Sequence, residues 1–199
     1  EIFALIAALT PFSAATTNTN LEALRTTNNV LYNRIKASIS QIPLLIPPSS
    51  SIAGVYAYTD STSGVWKAPA NVSLNYVVGP NYVLSNDQQG GMNIDEDGGK
   101  SINAIRAFTG KGTLVWGART LAGASNEWKY VSVRRFYNMV EESVKKATEG
   151  FVFQPNDANT WVQVRAMIEN FLILQWKAGA LAGSKPEQAF YVKIGLGAT

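Results

Sequence analysis

Few residues in this 199-residue sequence have side chains suited to catalysis. The sequence contains no histidine and no cysteine, so it cannot build a Ser-His-Asp triad, a Cys-His dyad or an ordinary zinc site. Carboxylate chemistry remains formally open, and the best candidate acids are Asp60, Glu127 and Asp157. A hydrolase of that kind requires two acids that converge in one pocket. We therefore keep it as the last alternative and predict no catalytic residues and no enzyme.

Two glycine-rich stretches superficially resemble ligand-binding motifs. Residues 109–113 read TGKGT, but a phosphate loop requires GxxxxGK[ST], and Lys111 is followed by Gly112. Residues 94–99 read IDEDGG, but the twelfth residue from Asp95 is Arg106 rather than the glutamate of an EF-hand loop. The first stretch predicts a tight turn between strands. The second predicts an exposed, flexible, acidic and glycine-rich loop over about residues 85–100, with at most a weak, incidental cation site and no cofactor.

The five tryptophans offer a rival function, because exposed aromatic side chains on one face can stack on sugars. A carbohydrate-binding or adhesin-like module is therefore kept as an alternative. Three of the five lie in strand or helix patterns with apolar partners, which favours packing in a core. The tryptophans are Trp66, Trp116, Trp128, Trp161 and Trp176.

Composition and charge argue against nucleic-acid and membrane partners. The net charge is only +3, and no basic run exceeds two residues, whereas nucleic-acid binding usually needs a clustered basic stripe. The apolar run at residues 1–12 is broken by Pro11 and is shorter than the roughly 20 residues of a membrane span. It also lacks the basic flank of a signal peptide. We expect it to be a buried strand or short helix, preceded in the natural protein by a missing upstream region.

Hydrophobic periodicity predicts a helix that begins at about Asn20 or Asn28 and ends at Ser40. It predicts two more over residues 133–148 and 158–178, the last capped by Asn156 or Asp157. Strands are predicted at residues 102–108 and 113–116, joined by a turn at 110–112. Further strands are predicted within 73–84, at 128–131, at 151–155 and at 190–197. This order predicts an α/β fold, with α+β possible, in which two long amphipathic helices pack on a layered mixed sheet. We expect one domain over residues 1–199.

The helix at 133–148 carries charged residues between its apolar positions. Adjacent helical positions point about 100° apart, so Glu141 and Glu142 cannot converge on one substrate atom. Pairing with lysines three or four residues later predicts a solvated face, and the functional alternative is a charged face that meets a partner. The candidate interface residues are Arg134, Arg135, Glu141, Glu142, Lys145 and Lys146.

Four stretches together resemble the tail sheath proteins of contractile phage tails and contractile injection systems. They are IPPSSSIAGVYAYTDSTSGVWKAPANVSL at 46–74, SINAIRAF at 101–108, GKGTLVWGARTLAGASNEWKY at 110–130 and EGFVFQPNDANTWVQVR at 149–165. For Arg119, Asn126 and Glu127 we expect hydrogen bonds that fix a loop, with a subunit contact as the alternative. The signature residues of the resemblance are Trp66, Gly110, Gly112, Trp116, Gly117, Arg119, Asn126, Trp128, Pro155, Asn156 and Asp157.

The resemblance implies the inner, tube-facing domain of a sheath subunit. It implies a helical polymer of such subunits around an inner tube, assembled from a baseplate and located in a virion tail or in a particle built in the bacterial cytoplasm. In that family, extended terminal arms add strands to neighbouring subunits. Both arms and a large upstream region are expected to be absent here, so the chain alone is expected to be a monomer or a weak oligomer.

Overall fold

The computed structural model describes residues 21–93, 95, 98–195 and 197. The chain divides into two compact units, Glu1–Ile46 and Pro47–Thr199. This division does not decide whether residues 1–199 form one domain. Residues 1–20, for which a buried strand or short helix is expected, lie outside the described residues. Both expectations stay predictions.

The described part of the first unit consists of helices α1, Leu21–Thr27, and α2, Asn29–Ser40. The predicted helix is thus present, and Asn28, one of its two predicted starts, separates it into two helices. The side-chain Oδ1 of Asn28 accepts a hydrogen bond from the backbone N of Leu31 at 3.1 Å, which is the bond expected of an N-cap residue. The interruption therefore starts a new helix.

The second unit begins with helix α3, Ser49–Thr62, which follows Pro47 and Pro48. Small and apolar residues in this stretch are compatible with helix or strand, and the structure has a helix. Val55 and Thr59 are its buried residues, and their spacing of four places both on one face. Helix α3 thus presents one narrow face to the rest of the unit.

An antiparallel sheet follows, with strands β1, Val72–Ser73, β2, Ala104–Phe108, and β3, Gly112–Trp116. Among the described residues the strand order is β1-β3-β2. Gly110 and Gly112 have φ values of 75° and 76°, a region that glycine adopts without strain. The predicted hairpin and its turn are confirmed. The sheet is antiparallel, so the expected mixed sheet is wrong in that detail, while the α/β class is confirmed.

The predicted loop over residues 85–100 contains helix α4, Asn86–Asn93, so that part of the prediction is wrong. Its residues are exposed or half-buried, and the Arg106 guanidinium on β2 donates to the side chains of Gln89 and Asn86. Contact with a distant strand therefore stabilises a helix that its own sequence, NDQQGGMN, does not favour. Ile94, Glu96 and Asp97 lie outside the described residues.

The long helices are α5, Val131–Thr148, and α6, Ala158–Lys177. A 3₁₀ helix, Glu149–Phe151, follows α5, and a short helix α7, Pro186–Ala189, follows α6. Both predicted long helices are confirmed. Along the described lengths of α5 and α6 no residue is buried, so each helix leaves much of its apolar surface in contact with solvent.

Several predicted strands do not form in the parts of those segments that the structure describes. Residues 75–84, 152–155 and 190–195 are irregular, Phe151 ends the 3₁₀ helix, and residues 128–131 contribute a single bridge between Tyr130 and Arg119. These segments are rich in valine and aromatic residues, which strands favour. A strand also needs a neighbouring strand for its backbone hydrogen bonds, and the described residues provide no such neighbour for these segments.

Candidate functional site

The signature segment, residues 110–130, contains β3, and after this strand one amide side chain next to β2 holds its backbone. Asn103 Nδ2 donates to the carbonyl O of Arg119 at 2.8 Å, and Asn103 Oδ1 accepts from the backbone N of Arg119 at 2.9 Å. Gly117 lies beside this amide with φ of 132°, and a Cβ there would lie 2.7 Å from Asn103 Oδ1. The absence of a side chain at Gly117 thus allows Asn103 to reach the backbone.

Residues 118–131 fold back on themselves as a narrow loop, here named the arm, which leads into α5. Backbone hydrogen bonds join Thr120 N to Lys129 O at 2.9 Å and Val131 N to Ala118 O at 3.0 Å. The Thr120 hydroxyl donates to the carbonyl O of Trp128 at 2.5 Å. Because both ends of the arm are fixed, the start of α5 has a defined position relative to the sheet.

The three polar residues expected to fix this loop do not fix it through their side chains. The Arg119 guanidinium lies over the Tyr130 ring at 5.7 Å. Asn126 and Glu127 are exposed, and within the described part of the chain their side chains make no hydrogen bond. The fixing groups are instead Asn103, Thr120 and Ser125. A polar residue at the start of a strand, such as Asn103, was the available signal, and sequence reasoning missed it.

Two of the signature tryptophans make aromatic contacts near the sheet. Trp116 contacts Phe108, with ring centroids 4.7 Å apart, and Trp128 contacts Tyr137 edge-on at 5.0 Å. The Arg134 guanidinium lies 4.7 Å from the centre of the Trp128 ring, a geometry suited to a cation–π interaction. Arg134 therefore helps to hold α5 against the arm.

Trp66 follows α3 in a tight loop. Gly64 has φ of 116°, and a Cβ on Gly64 would lie 2.5 Å from the Trp66 indole. The indole is half-buried. The Trp66 indole therefore packs against the backbone of Gly64.

Arg135 makes a bidentate polar contact between two helices of the second unit. Its Nη1 and Nη2 atoms donate to Asp60 Oδ1 and Oδ2 on α3 at 2.8 and 2.5 Å, and its guanidinium lies 4.5 Å from the centre of the Tyr56 ring. Hydrogen bonding from Arg135 lowers the pKa of Asp60, although partial burial opposes this effect. The same bonds raise the pKa of Arg135. This bidentate pair fixes α5 to α3.

The other charges of α5 face solvent. Glu142 and Lys146 form an ion pair at 3.2 Å, with side chains 58% and 69% exposed. In the part of the chain that the structure describes, Glu141 and Lys145 form no ion pair. The six candidate interface residues therefore fall into two groups. Arg134 and Arg135 make the contacts described above, and the other four are exposed: Glu141, Glu142, Lys145 and Lys146. A contact of any of the six with a partner stays a prediction.

Three signature residues begin α6. Asp157 is its N-cap, and Asp157 Oδ1 accepts from Thr160 N at 2.9 Å. Asn156 Oδ1 accepts from the Trp161 indole Nε1 at 2.7 Å, and Pro155 precedes both. The predicted cap is confirmed as a local structural feature, and Asn156 orients a tryptophan rather than capping the helix.

The arrangement does not resemble either rival site. The tryptophans make separate local contacts, including a hydrogen bond from Trp176 Nε1 to the carbonyl O of Gly183 at 2.8 Å. Asp60 is paired with Arg135, Asp157 caps α6 and Glu127 is exposed. Among the described residues there is no group of three acids suited to a metal ion and no helix that could span a membrane.

Comparison with known proteins gives one consistent result. Residues 124–195 match the family model of the phage tail sheath C-terminal domain. The chain is 26% identical to the tail sheath protein of Vibrio phage KVP40 over 127 residues, which are 64% of this chain and 19% of that protein.

Two solved structures match a larger share of the chain. One is a sheath complex of the extracellular contractile injection system PVC in the contracted state, with 49% identity, a TM-score of 0.71, and coverage of 77% of this chain and 42% of that one. The other is the baseplate of the anti-feeding prophage, with 46% identity, a TM-score of 0.73, and coverage of 79% and 42%. The resemblance to contractile tail sheath proteins is confirmed. The chain spans less than half the length of these relatives.

Proposed function

We propose that this protein is a structural subunit of a contractile sheath, which polymerises around an inner tube and contracts to drive that tube through a target envelope. The observation that carries the proposal is the 49% identity, over 77% of the chain, to a sheath complex in its contracted state. The proposed role is mechanical, and it assigns no bond-making step to any residue.

The distribution of apolar residues supports a role in an assembly. Of the described residues, the buried hydrophobic ones are Val55, Ala104, Leu114 and Val115. Many large apolar side chains are exposed instead, and burial of apolar surface favours association between proteins. Examples at more than 80% exposure are Val30, Leu44, Tyr76, Val78, Phe153 and Tyr191. A subunit that is surrounded by neighbours would bury such side chains on assembly.

The proposed mechanism stores energy in packing rather than in a nucleotide. An extended sheath and a contracted sheath would be two arrangements of the same subunits, and the difference in their free energies would drive movement of the tube. Each subunit then has to keep its own shape while its contacts change. The fixed arm at residues 118–131 and the Asp60–Arg135 pair are suited to that requirement.

The proposed partners are further copies of the subunit, the inner tube protein and the baseplate. We assign the exposed charges of α5 to the contact with the tube or with the next subunit, because they are not needed to hold α5 in place. They are Glu141, Glu142, Lys145 and Lys146. The location would be a contractile particle, either a virion tail or a particle assembled in the bacterial cytoplasm.

Negative-stain electron microscopy tests the proposal directly. The full-length protein, expressed alone, is expected to form striated hollow tubes, whereas the 199-residue chain is expected to be a monomer or a weak oligomer. In a second experiment the full-length protein is co-expressed with the tube and baseplate proteins. Dispersed particles of the full-length protein in both experiments would contradict a sheath function.

A further inference from the structure

Helix α4 is attached to the residues that lead into β2 through Ser101. Ser101 is 3% exposed, and its hydroxyl donates to the carbonyl O of Asn93, the last residue of α4, at 2.6 Å. Beside this bond, Ile102 N donates to Met92 O at 2.9 Å. The end of α4 therefore has a fixed position at Ser101.

The tip of the arm contacts the same residues. Gly123 is buried, and a Cβ on Gly123 would lie 2.9 Å from Gly99 O and 3.0 Å from Ser101 N, and would also meet Ser101 Oγ. The first two are backbone atoms, which cannot swing away as the end of a side chain can. Ala124 N donates to Gly99 O at 3.0 Å. Glycine at position 123 therefore allows the arm to approach residues 99–101 this closely.

These contacts form one connected path from α4 to α5. Helix α4 is bonded to Ser101, residues 99–101 hold the tip of the arm, and the arm ends at Val131, whose N donates to Ala118 O at 3.0 Å. Contacts that share a buried junction tend to open together, because loss of one exposes the others to water. The junction at Ser101 and Gly123 thus connects two helices that do not follow one another in the chain.

We propose that the end of α4, residues 99–101 and the arm open and close as one cooperative group, so that release of α4 also releases the start of α5. The arm is then a strap that Ser101 and Gly123 hold closed. All of these contacts lie within one chain, so the inference does not depend on the sheath function and holds whether or not the protein polymerises. A molecule that binds α4 and displaces it would therefore change the position of α5.

Amide hydrogen exchange of the 199-residue chain, followed residue by residue by NMR, tests the coupling from the side of α4. Ser101→Ala removes the hydroxyl that reaches α4, and it leaves the packing volume and the bonds of the arm nearly unchanged. It is expected to speed exchange at Thr120 and Val131, at the base of the arm, by about three- to tenfold. Ser61→Ala is the matched control, because the Ser61 hydroxyl donates to a carbonyl on α3, and it should leave both rates unchanged.

The same measurement tests the coupling from the side of the arm. Gly123→Ala forces the tip of the arm away from residues 99–101. It is expected to speed exchange at Met92 and Asn93 in α4 by about tenfold, because coupling between two sites acts equally in both directions. Gly150→Ala is the matched control, since a Cβ on Gly150 would have no neighbouring atom within 4 Å.

Helix α6 provides the internal reference, because its amides should exchange at the same rates in the natural chain and in all four variants. Faster exchange confined to the residues beside each substitution would overturn the proposal, since the arm and α4 would then open independently. Faster exchange in α6 as well would also overturn it, because the loss would then be global rather than a property of the strap. If Gly123→Ala does not fold, the milder Ser101→Ala variant decides the question alone.

Discussion

Two adjacent regions of the second unit differ in how many of their residues are buried. The hairpin region, residues 101–130, buries Ser101, Ala104, Thr113, Leu114 and Val115, and its arm is closed by backbone hydrogen bonds. The helical region, residues 131–177, buries none of its described residues. The hairpin region thus has a small buried core, whereas the helical region leaves apolar and charged side chains exposed or half-buried.

Replacing one leucine by alanine in each region is expected to give the largest difference in the free energy of unfolding. Leu114 on β3 is 5% exposed and Leu174 on α6 is 55% exposed. Leu114→Ala is expected to lower the free energy of unfolding by about 2–5 kcal/mol, because it removes buried contacts and leaves a cavity. Leu174→Ala is expected to change it by less than about 0.5 kcal/mol. Urea unfolding of both variants measures the difference, and equal losses would show that the two regions do not differ in this way.

Replacing one glycine by alanine in each region tests the same difference in stability. At Gly117 a Cβ would collide with Asn103 Oδ1, and φ is 132°. Gly150 in the helical region has ordinary φ, and a Cβ added there would have no neighbouring atom within 4 Å. Gly117→Ala is expected to cost about 2–3 kcal/mol, whereas Gly150→Ala should be neutral or slightly stabilising. Thermal unfolding of the two variants checks this, and an unaffected Gly117→Ala protein would contradict the role given to Asn103.

The Asp60–Arg135 pair joins the helical region to α3, and its contribution should depend on pH. The pKa of Asp60 is lowered in the folded protein, so the stabilisation is present above the unfolded-state pKa of about 4 and is lost as pH falls through the lower folded-state pKa. Both side chains are partly exposed, at 30% and 24%. Asp60→Asn is therefore expected to cost about 1–2 kcal/mol at pH 7.

Urea unfolding at a series of pH values from about 7 down to about 2.5 measures this effect across the unfolded-state pKa. The difference between Asp60→Asn and the natural chain should shrink as the solution becomes acidic. Glu169→Gln provides a matched control, because Glu169 pairs with Arg165 within one helix and both side chains are more exposed. A constant difference between Asp60→Asn and the natural chain at all pH values would contradict the role of the Asp60 charge.

The elements that sequence reasoning predicted correctly are those encoded by short-range signals. Glycines at 110 and 112 specify the hairpin turn, and Asp157 specifies the start of α6. Apolar spacing predicts α5 and α6 because a helix completes its backbone hydrogen bonds within one segment. The information needed for these elements lies within a few residues of each position.

The errors fall where distant residues decide the structure. Helix α4 depends on Arg106, which lies 17 residues beyond Gln89. Residues 151–155 have a composition typical of strands, yet they project Phe153 into solvent because the described chain offers them no pairing partner. The candidate site shows the same limit, since the roles of Asn103 and of the Asp60–Arg135 pair depend on contacts across 16 and 75 residues.

The smallest effect on stability is expected from the exposed charges of α5, where the proposed role lies in assembly. Glu142 and Lys146 are 58% and 69% exposed, and such pairs contribute about 0.5 kcal/mol or less. Glu142→Lys should therefore leave urea unfolding nearly unchanged while it weakens tube formation by the full-length protein, most strongly at low ionic strength. Glu22→Lys on α1, which breaks a similarly exposed pair with Arg25, serves as the control. If both variants form tubes as the natural protein does, the charged face of α5 is only a solvated surface.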